Sequence, residues 1–208
     1  MYELGPPFSD TQVPPGTNIL VSGPPLSGKR CLAMETLAVG ARRDQGTIIV
    51  STRDSAARVH DMFGPLVDGE TDVAIVDAVS QHIGRSTDID MTSYASSPRD
   101  MSEIGVKFSE FIQSFYTDQQ REHNRVMVDS LTALLLYSNL QTVFRFLHVF
   151  TSRVENVDGL GLYPIESTAH DAETLSTLDQ LFDGTIELDA DGTATLNLPD
   201  TDIRTVRL

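Results

Sequence analysis

Short apolar runs alternate along the chain with stretches whose apolar positions recur every three to four residues. The runs have the length and β-branched content of buried strands. They cover residues 18–22 (NILVS), 47–51 (TIIVS), 73–77 (VAIVD), 125–128 (RVMV) and 160–165 (LGLYPI). The intervening stretches have the spacing of amphipathic helices. They cover residues 29–41, 55–63, 98–115, 131–154 and 172–182. Residues 80–97 are polar and predict a long loop.

Local signals mark where three of these helices begin. Asp54, Ser97 and Asp171 each precede a predicted helix and have side chains that can accept from its first amide groups. Towards the end of the chain, three short apolar stretches predict strands, and Asp191-Gly192 predicts a tight turn between the first two.

Strands that alternate with helices predict an α/β fold, with a mostly parallel central sheet covered on both faces. The strands at the C-terminus, joined by tight turns, predict antiparallel edge strands. Residues 17–208 are predicted to form one domain. Residues 1–16, rich in Pro and Gly, are predicted to be an N-terminal arm that is either loose or a cover.

Charge is the unusual feature of the composition. The net charge of the 208 residues is −15, Asp outnumbers Glu twenty to ten, and Lys occurs only twice. Such self-repulsion weakens a compact state at low salt, but at molar salt the Debye length falls to about 3 Å and screens it. We interpret the composition as adaptation to high salt; the alternative is an ordinary acidic protein. The lack of a Lys/Arg cluster disfavours nucleic-acid binding.

Several other classes of protein are excluded by what the chain lacks. Cys31 is the only cysteine, so neither an intrachain disulfide nor a multi-cysteine metal site is expected. The five histidines are scattered and do not have the spacing of zinc ligands. The chain has no run of 18 apolar residues, and its first residues do not resemble a secretory signal. We therefore expect a cytoplasmic protein without a membrane span.

A phosphate-binding loop is the clearest functional motif. Residues 23–29 (GPPLSGK) fit the Walker A pattern GxxxxGK, between a predicted strand and a predicted helix. In such a loop, backbone N–H groups and the helix N-terminus surround a phosphate, and the lysine reaches the β- and γ-phosphates. The predicted nucleotide-binding residues are Gly23, Pro24, Pro25, Leu26, Ser27, Gly28, Lys29, Arg30 and Cys31. The alternative is a Gly/Pro turn before a core helix.

The loop departs from the pattern at the magnesium position. Arg30 stands where Ser or Thr normally supplies a hydroxyl to Mg²⁺, and a guanidinium has no lone pair for a metal. Three outcomes stay open. Mg²⁺ is held weakly through water and nucleotide, Arg30 itself neutralises phosphate charge, or Arg30 points to solvent.

Asp129 is the candidate metal residue. It ends the strand VMVD, where phosphate-loop proteins place the acid that orients Mg²⁺ and its water shell. The alternative is a helix cap, because a predicted helix begins at Leu131.

These motifs, in the order GPPLSGK, IIVSTRDS, RVMVDSLTALL and LFDGTIEL, resemble the RecA/KaiC superfamily of phosphate-loop ATPases over residues 17–208. The segments SSPRDMSEIGVKFSEF and LQTVFRFLHVFTSRV also resemble KaiC-related proteins of unsettled function from salt-loving archaea. The resemblance implies a three-layer RecA-like fold with ATP as ligand. It also implies nucleotide bound between neighbouring subunits, and hence a homo-oligomer or a protein partner.

The resemblance also locates the position of the hydrolytic base. KaiC-type proteins have two successive acids after the second strand, the first of which activates water; the matching residues here are Arg53 and Asp54. Arginine stays protonated and cannot be a base. The predicted function is therefore an ATP-binding regulatory or signalling protein with weak or absent ATPase activity. The alternatives are an active KaiC-like ATPase using Lys29, Asp129 and Asp54, and an interaction scaffold that binds no nucleotide.

Overall fold

A central sheet of nine strands organises the part of the chain that the computed structural model describes, residues 1–67, 72–84, 89–199 and 201–207. The strands are β3 (Asn18–Gly23), β4 (Gly46–Ser51), β5 (Val73–Asp77), β6 (Thr92–Tyr94), β7 (Asn124–Asp129), β8 (Leu160–Glu166), β9 (Gly184–Leu188), β10 (Thr193–Asn197) and β11 (Arg204–Arg207). Their spatial order is β11-β10-β9-β3-β8-β7-β4-β5-β6. The strands from β9 to β6 are parallel, and β10 and β11 are antiparallel. This confirms the predicted sheet.

Helices cover both faces of this sheet, as predicted. They are α1 (Lys29–Ala41), α2 (Ala56–Phe63), α3 (Met101–Thr117), α4 (Leu131–Tyr137), α5 (Leu140–Asn156) and α6 (Ala172–Asp179). Successive strand residues point to opposite faces. Ile19 and Val21 pack with α1 and α2, whereas Leu20 packs in a second core with α3 to α6. None of the described helices combines the length and the apolar character needed to cross a bilayer.

The N-terminal arm is packed rather than loose. Strands β1 (Tyr2–Glu3) and β2 (Gln12–Val13) form a small antiparallel sheet, and the arm contributes Tyr2, Leu4, Phe8 and Val13 to the α1-side core. The Tyr2 hydroxyl donates to the Asp158 carbonyl (2.7 Å) and accepts from the Asn124 amide (3.1 Å). The N-terminal arm therefore covers the α1-side core, which is the second of the two predicted alternatives.

A buried arginine connects the arm to the sheet and α1. Arg125, on β7, has no exposed surface. It donates to the Gln45 side chain and to the carbonyls of Glu3 and Thr36, each at 2.7 Å. Burial lowers the pKa of Arg125 to about 10. A Cβ at Gly40 would lie 2.4 Å from Arg125 Nε, so glycine makes room for the guanidinium.

Several predicted boundaries were wrong. Ser55, not Asp54, caps α2 by accepting from the Arg58 amide, and Asp100, not Ser97, caps α3. The predicted loop at 80–97 contains the edge strand β6; its residues 85–88 lie outside the described part of the chain. The predicted helix at 131–154 is two helices, because the chain is extended at the start of α5. Asp171 caps α6, as predicted.

Candidate functional site

The predicted phosphate loop, residues 23–29, connects the carboxyl end of β3 to the first turn of α1. A Cβ at Gly23 would lie 2.5 Å from Ser27 Oγ, so the loop closes this tightly only over glycine. Gly28 has φ of 88°, a left-handed conformation that glycine adopts without strain. Within the described residues, no side chain caps α1. Its first amide groups, and the positive end of its dipole, are therefore available to an anion.

Lys29 turns inward over this loop. Its Nζ donates to the Pro24 carbonyl (2.9 Å) and lies 3.9 Å from Glu166 Oε1. The side chain is only 14% exposed. Burial is the main cause of the lowered pKa of Lys29, and the positive charge of Arg53 lowers that pKa further. The negative charges of Glu166 and Asp129 act in the opposite direction. The amine is thus held at the mouth of the loop with a carbonyl and a distant carboxylate as its partners.

Arg30 points into the protein, so the alternative in which it faces solvent is wrong. Its Nη2 lies 2.7 Å from Asp54 Oδ2 and 2.5 Å from Asp129 Oδ2. Its Nη1 lies 3.2 Å from the Met62 sulfur. We call Arg30, Asp54 and Asp129 the Arg30 cluster.

Asp129 is the buried member of the Arg30 cluster. Alternation along β7 places Asp129 on the same face as Met127, which packs on the α1 side. Only 1% of the residue is exposed, and neither carboxylate oxygen makes a well-aligned hydrogen bond in the described structure, although Oδ2 is in ion-pair contact with Arg30. Burial raises the pKa of Asp129, against the lowering effect of Arg30 and Arg53. The helix-cap alternative is wrong, because the N-cap of α4 is Ser130.

Thr52, which directly follows β4, holds the backbone at Asp129 and Ser130. The Asp129–Ser130 peptide is cis. The Thr52 hydroxyl accepts from the Ser130 amide (2.9 Å) and donates to the Ser130 carbonyl (3.0 Å). Thr52 also donates its own amide to the Asp129 carbonyl (2.8 Å). These three hydrogen bonds hold the carboxyl end of β7 against the carboxyl end of β4.

The Arg30 cluster does not fit a resident Mg²⁺. The loop supplies no hydroxyl at residue 30, and the Asp129 carboxylate is paired with a guanidinium instead of facing open space. Within the described residues, no group of three or more His, Cys, Asp and Glu side chains has the geometry to hold a metal ion.

Asp54, the third member of the Arg30 cluster, lies between two cations. Its Oδ2 contacts Arg30 Nη2 at 2.7 Å and Arg53 Nε at 3.6 Å. Arg53 is half exposed, and it occupies the position at which the resemblance predicts a water-activating acid. A carboxylate paired in this way is poorly placed to accept a proton from water.

Sequence analysis did not identify Glu166 and Thr132 as part of the site. In the parallel ladder of β3 and β8, Glu166 is directly opposite Gly23. The Thr132 hydroxyl accepts from the Glu166 amide (2.8 Å) and contacts His170 Nε2 (3.3 Å). Because 160–165 was a predicted parallel strand, the rule that strand carboxyl ends share one edge of a sheet would have placed Glu166 beside the loop.

An open cleft of about 580 Å³ joins these parts. We call it the phosphate-loop cleft. It is lined by Pro25, Leu26, Gly28, Lys29, Arg30, Cys31, Met34, Arg53, Met62, Leu66, Asp129, Ser130, Thr132, Pro164 and Glu166. Among the predicted loop residues, Gly23 and Pro24 instead line a neighbouring cavity of about 470 Å³. Ser27 has a buried hydroxyl without a partner in the described structure. Asp54 does not line the cleft.

Comparisons with known proteins identify the fold. A family model described as "Family of unknown function (DUF7504)" matches residues 16–188. An uncharacterised protein of Pyrococcus horikoshii, crystallised with an unknown peptide, is 12% identical with a TM-score of 0.71, over 95% of this chain and 94% of that one. A KaiC-like protein of Pyrococcus horikoshii OT3 is 16% identical with a TM-score of 0.67, over 98% and 92%. No curated protein matches. These similarities confirm the predicted KaiC-like α/β fold.

Proposed function

We propose that this chain, which belongs to the family of unknown function (DUF7504), is a regulatory or signalling protein that binds ATP and hydrolyses it weakly or not at all. The observation that carries the proposal is the arrangement of the loop: an uncapped helix N-terminus with Lys29 folded over it. The Walker A spacing and the resemblance to RecA/KaiC ATPases support a nucleotide as the anion and ATP as the nucleotide.

The local charges support binding of a polyphosphate. Lys29 has a carbonyl as its nearest partner, and its nearest carboxylate is 3.9 Å away. An incoming phosphate oxygen therefore replaces a neutral acceptor with a charged one, and charge-assisted hydrogen bonds are the stronger kind. In a chain of net charge −15, an anion site needs such locally concentrated positive charge to overcome repulsion from the rest of the protein.

Weak or absent hydrolysis follows from the carboxylates of the site. Asp129 and Asp54 are both paired with Arg30, and a guanidinium, Arg53, stands at the position that the resemblance assigns to the base. Glu166 is the other acid that lines the cleft, and it faces Lys29. A protein that holds nucleotide without turning it over reports nucleotide level through its shape or its partners, which is a regulatory role.

The amino-acid composition supports a high-salt cytoplasm as the place where this protein functions. The excess of Asp and the scarcity of Lys are suited to a cytoplasm at molar salt, where screening removes the repulsion between acidic side chains. We therefore propose a salt-loving microbe as the source, and molar KCl as the medium in which the protein should be assayed. A homo-oligomer or a protein partner completing the nucleotide site stays a prediction from the resemblance.

Calorimetric titration with ATP, ADP and inorganic triphosphate tests the proposal. Lys29→Met should weaken ATP binding by about 10- to 150-fold, the equivalent of losing a hydrogen bond to a charged group worth about 1.5–3 kcal/mol. The matched control is Lys107→Met, which removes the only other lysine. Lys107 lies on α3, which packs on the opposite face of the sheet from α1, and its Nζ pairs with Glu110 at 3.4 Å. Its loss should leave binding unchanged.

The same titration separates the alternatives. If the wild-type chain binds none of the three ligands, the nucleotide proposal is wrong and the scaffold is favoured. If it binds ATP and releases phosphate steadily above the Lys29→Met background, the active ATPase is favoured instead.

A further inference from the structure

We infer that the Arg30 guanidinium is a resident cation in the place of Mg²⁺, so that the phosphate-loop cleft takes a nucleoside polyphosphate in its metal-free form. The inference rests on the proposed function and specifies the chemical form of the ligand. Its central observation is that one guanidinium contacts both acids of the Arg30 cluster from the residue position that normally supplies a metal ligand.

The contacts of Arg30 show that its charge is fixed beside the loop. Arg30 directly follows Lys29 and lines the same cleft. Nη2 is held between two carboxylate oxygens, at 2.7 Å from Asp54 and 2.5 Å from Asp129. A divalent metal in a phosphate-loop protein has the same neighbours: the strand-end acid on one side and phosphate oxygens on the other.

Donors of the guanidinium are still available for a ligand. Arg30 Nε and Nη2 are buried, and neither makes a well-aligned hydrogen bond in the described part of the chain, although Nη2 is in ion-pair contact with both acids. A guanidinium carries five N–H groups and pairs with phosphate oxygens in a planar, two-pronged geometry. Arg30 can therefore hold Asp129 with one edge while it donates to a phosphate oxygen.

A metal ion would have to compete with the guanidinium for this position. Arginine cannot lose its proton under ordinary conditions, so its positive charge is permanent. A Mg²⁺ ion bound through Asp129 would have to displace the guanidinium or lie within a few ångströms of it, in a region where water screens charge poorly. Mg²⁺ also demands near-ideal octahedral coordination, and residue 30 supplies no oxygen for it.

Mg²⁺ therefore competes with this protein for ATP, because the metal chelates the free nucleotide that the site binds. Calorimetric titration of the full chain with ATP in molar KCl, with EDTA and then with excess MgCl₂, tests the inference. The wild-type protein should bind ATP with equal or higher apparent affinity in EDTA. Affinity more than about threefold higher with MgCl₂ would overturn the inference.

Two variants distinguish the guanidinium from the rest of the loop. Arg30→Thr restores the metal hydroxyl and frees Asp129, so ATP should bind about tenfold or more tightly with MgCl₂ than with EDTA. Arg30→Lys keeps a positive charge and should stay independent of metal. If Arg30→Lys becomes metal-dependent, or if Arg30→Thr stays independent of metal, charge at residue 30 is not the cause and the inference is wrong.

Electron paramagnetic resonance of Mn²⁺ provides a readout that does not depend on affinity. With saturating nucleotide, the Arg30→Thr protein should immobilise one Mn²⁺ per bound ATP, and the wild-type protein should immobilise none beyond the Mn²⁺–ATP background. The outcomes also separate this inference from the proposed function. Failure to bind nucleotide in either medium refutes the function, whereas binding that requires MgCl₂ refutes only the resident cation.

Discussion

Removal of the Arg30 side chain should reveal how strongly the Arg30 cluster supports the fold. Arg30→Met keeps most of the volume but leaves the Asp129 carboxylate, 1% exposed, without its cation. At an effective dielectric constant of about 20, two unit charges about 4 Å apart attract by about 4 kcal/mol. Breaking a buried pair by removing one partner typically costs about 3–5 kcal/mol. We expect a loss in this range in the free energy of unfolding at neutral pH.

Urea denaturation in molar KCl measures this loss, and Arg53→Met is the matched control. Arg53 is 52% exposed and reaches Asp54 at 3.6 Å, so its removal should cost less than about 1 kcal/mol. In a double-mutant cycle, adding Asp129→Asn to Arg30→Met should recover stability, because it removes the unpaired charge. Equal losses for Arg30→Met and Arg53→Met, or purely additive effects with Asp129→Asn, would show that Arg30 does not stabilise the buried Asp129 carboxylate.

The loss should also depend on pH in a defined direction. Burial already raises the pKa of Asp129, and the charge of Arg30 opposes that rise. Without Arg30, the folded-state pKa therefore lies further above the ordinary value of 3.8. The cost of Arg30→Met is fully present above that folded-state pKa and shrinks as pH falls and the carboxylate takes up a proton. If the stability cost of Arg30→Met instead increased towards acid pH, the unpaired Asp129 carboxylate would not be its cause.

Three further predictions concern the buried polar groups. Arg125→Met should destabilise the fold by at least about 3 kcal/mol, since several acceptors lose their donor, and should speed hydrogen exchange in the N-terminal arm. Unchanged exchange there would show that Arg125 does not hold the arm in place. Tyr2→Phe should cost about 1–3 kcal/mol in urea denaturation, because the Asn124 amide and Asp158 carbonyl lose their shared partner, and a neutral effect would contradict this. ATP affinity should fall with rising pH as Lys29, whose pKa is lowered mainly by burial, loses its proton; in Lys29→Arg this fall should be absent.

The sequence predicts most of the fold because its strongest signals are local. The central parallel strands are aliphatic runs, and α1 has the predicted bounds. Strand β6 escapes prediction because Thr92–Tyr94 is short, half-buried and held at the sheet edge by pairing with β5. The start of α3 shifts because Ser97 and Asp100 are both good caps. Asp100 accepts from the Glu103 amide, whereas the Ser97 hydroxyl accepts from the Arg99 amide.

The candidate site is predicted only in part, because its key contacts join distant segments. The spacing from Gly23 to Lys29 identifies the loop without tertiary information. The direction of Arg30 depends on Asp129, about a hundred residues further along the chain, so the sequence leaves three outcomes open. Arg125 gives no warning of its burial, since an arginine inside a strand is usually an exposed residue.

The loop between β3 and α1 is proposed to hold the phosphates of a nucleotide. The decisive measurement is a crystal structure of the full chain grown with excess ATP and EDTA in molar KCl. We expect β- and γ-phosphate oxygens within hydrogen-bond distance of the loop amides and of Lys29 Nζ, with Arg30 still paired with Asp129. An empty loop, or a nucleotide bound elsewhere while Lys29 keeps its bond to the Pro24 carbonyl, would contradict it.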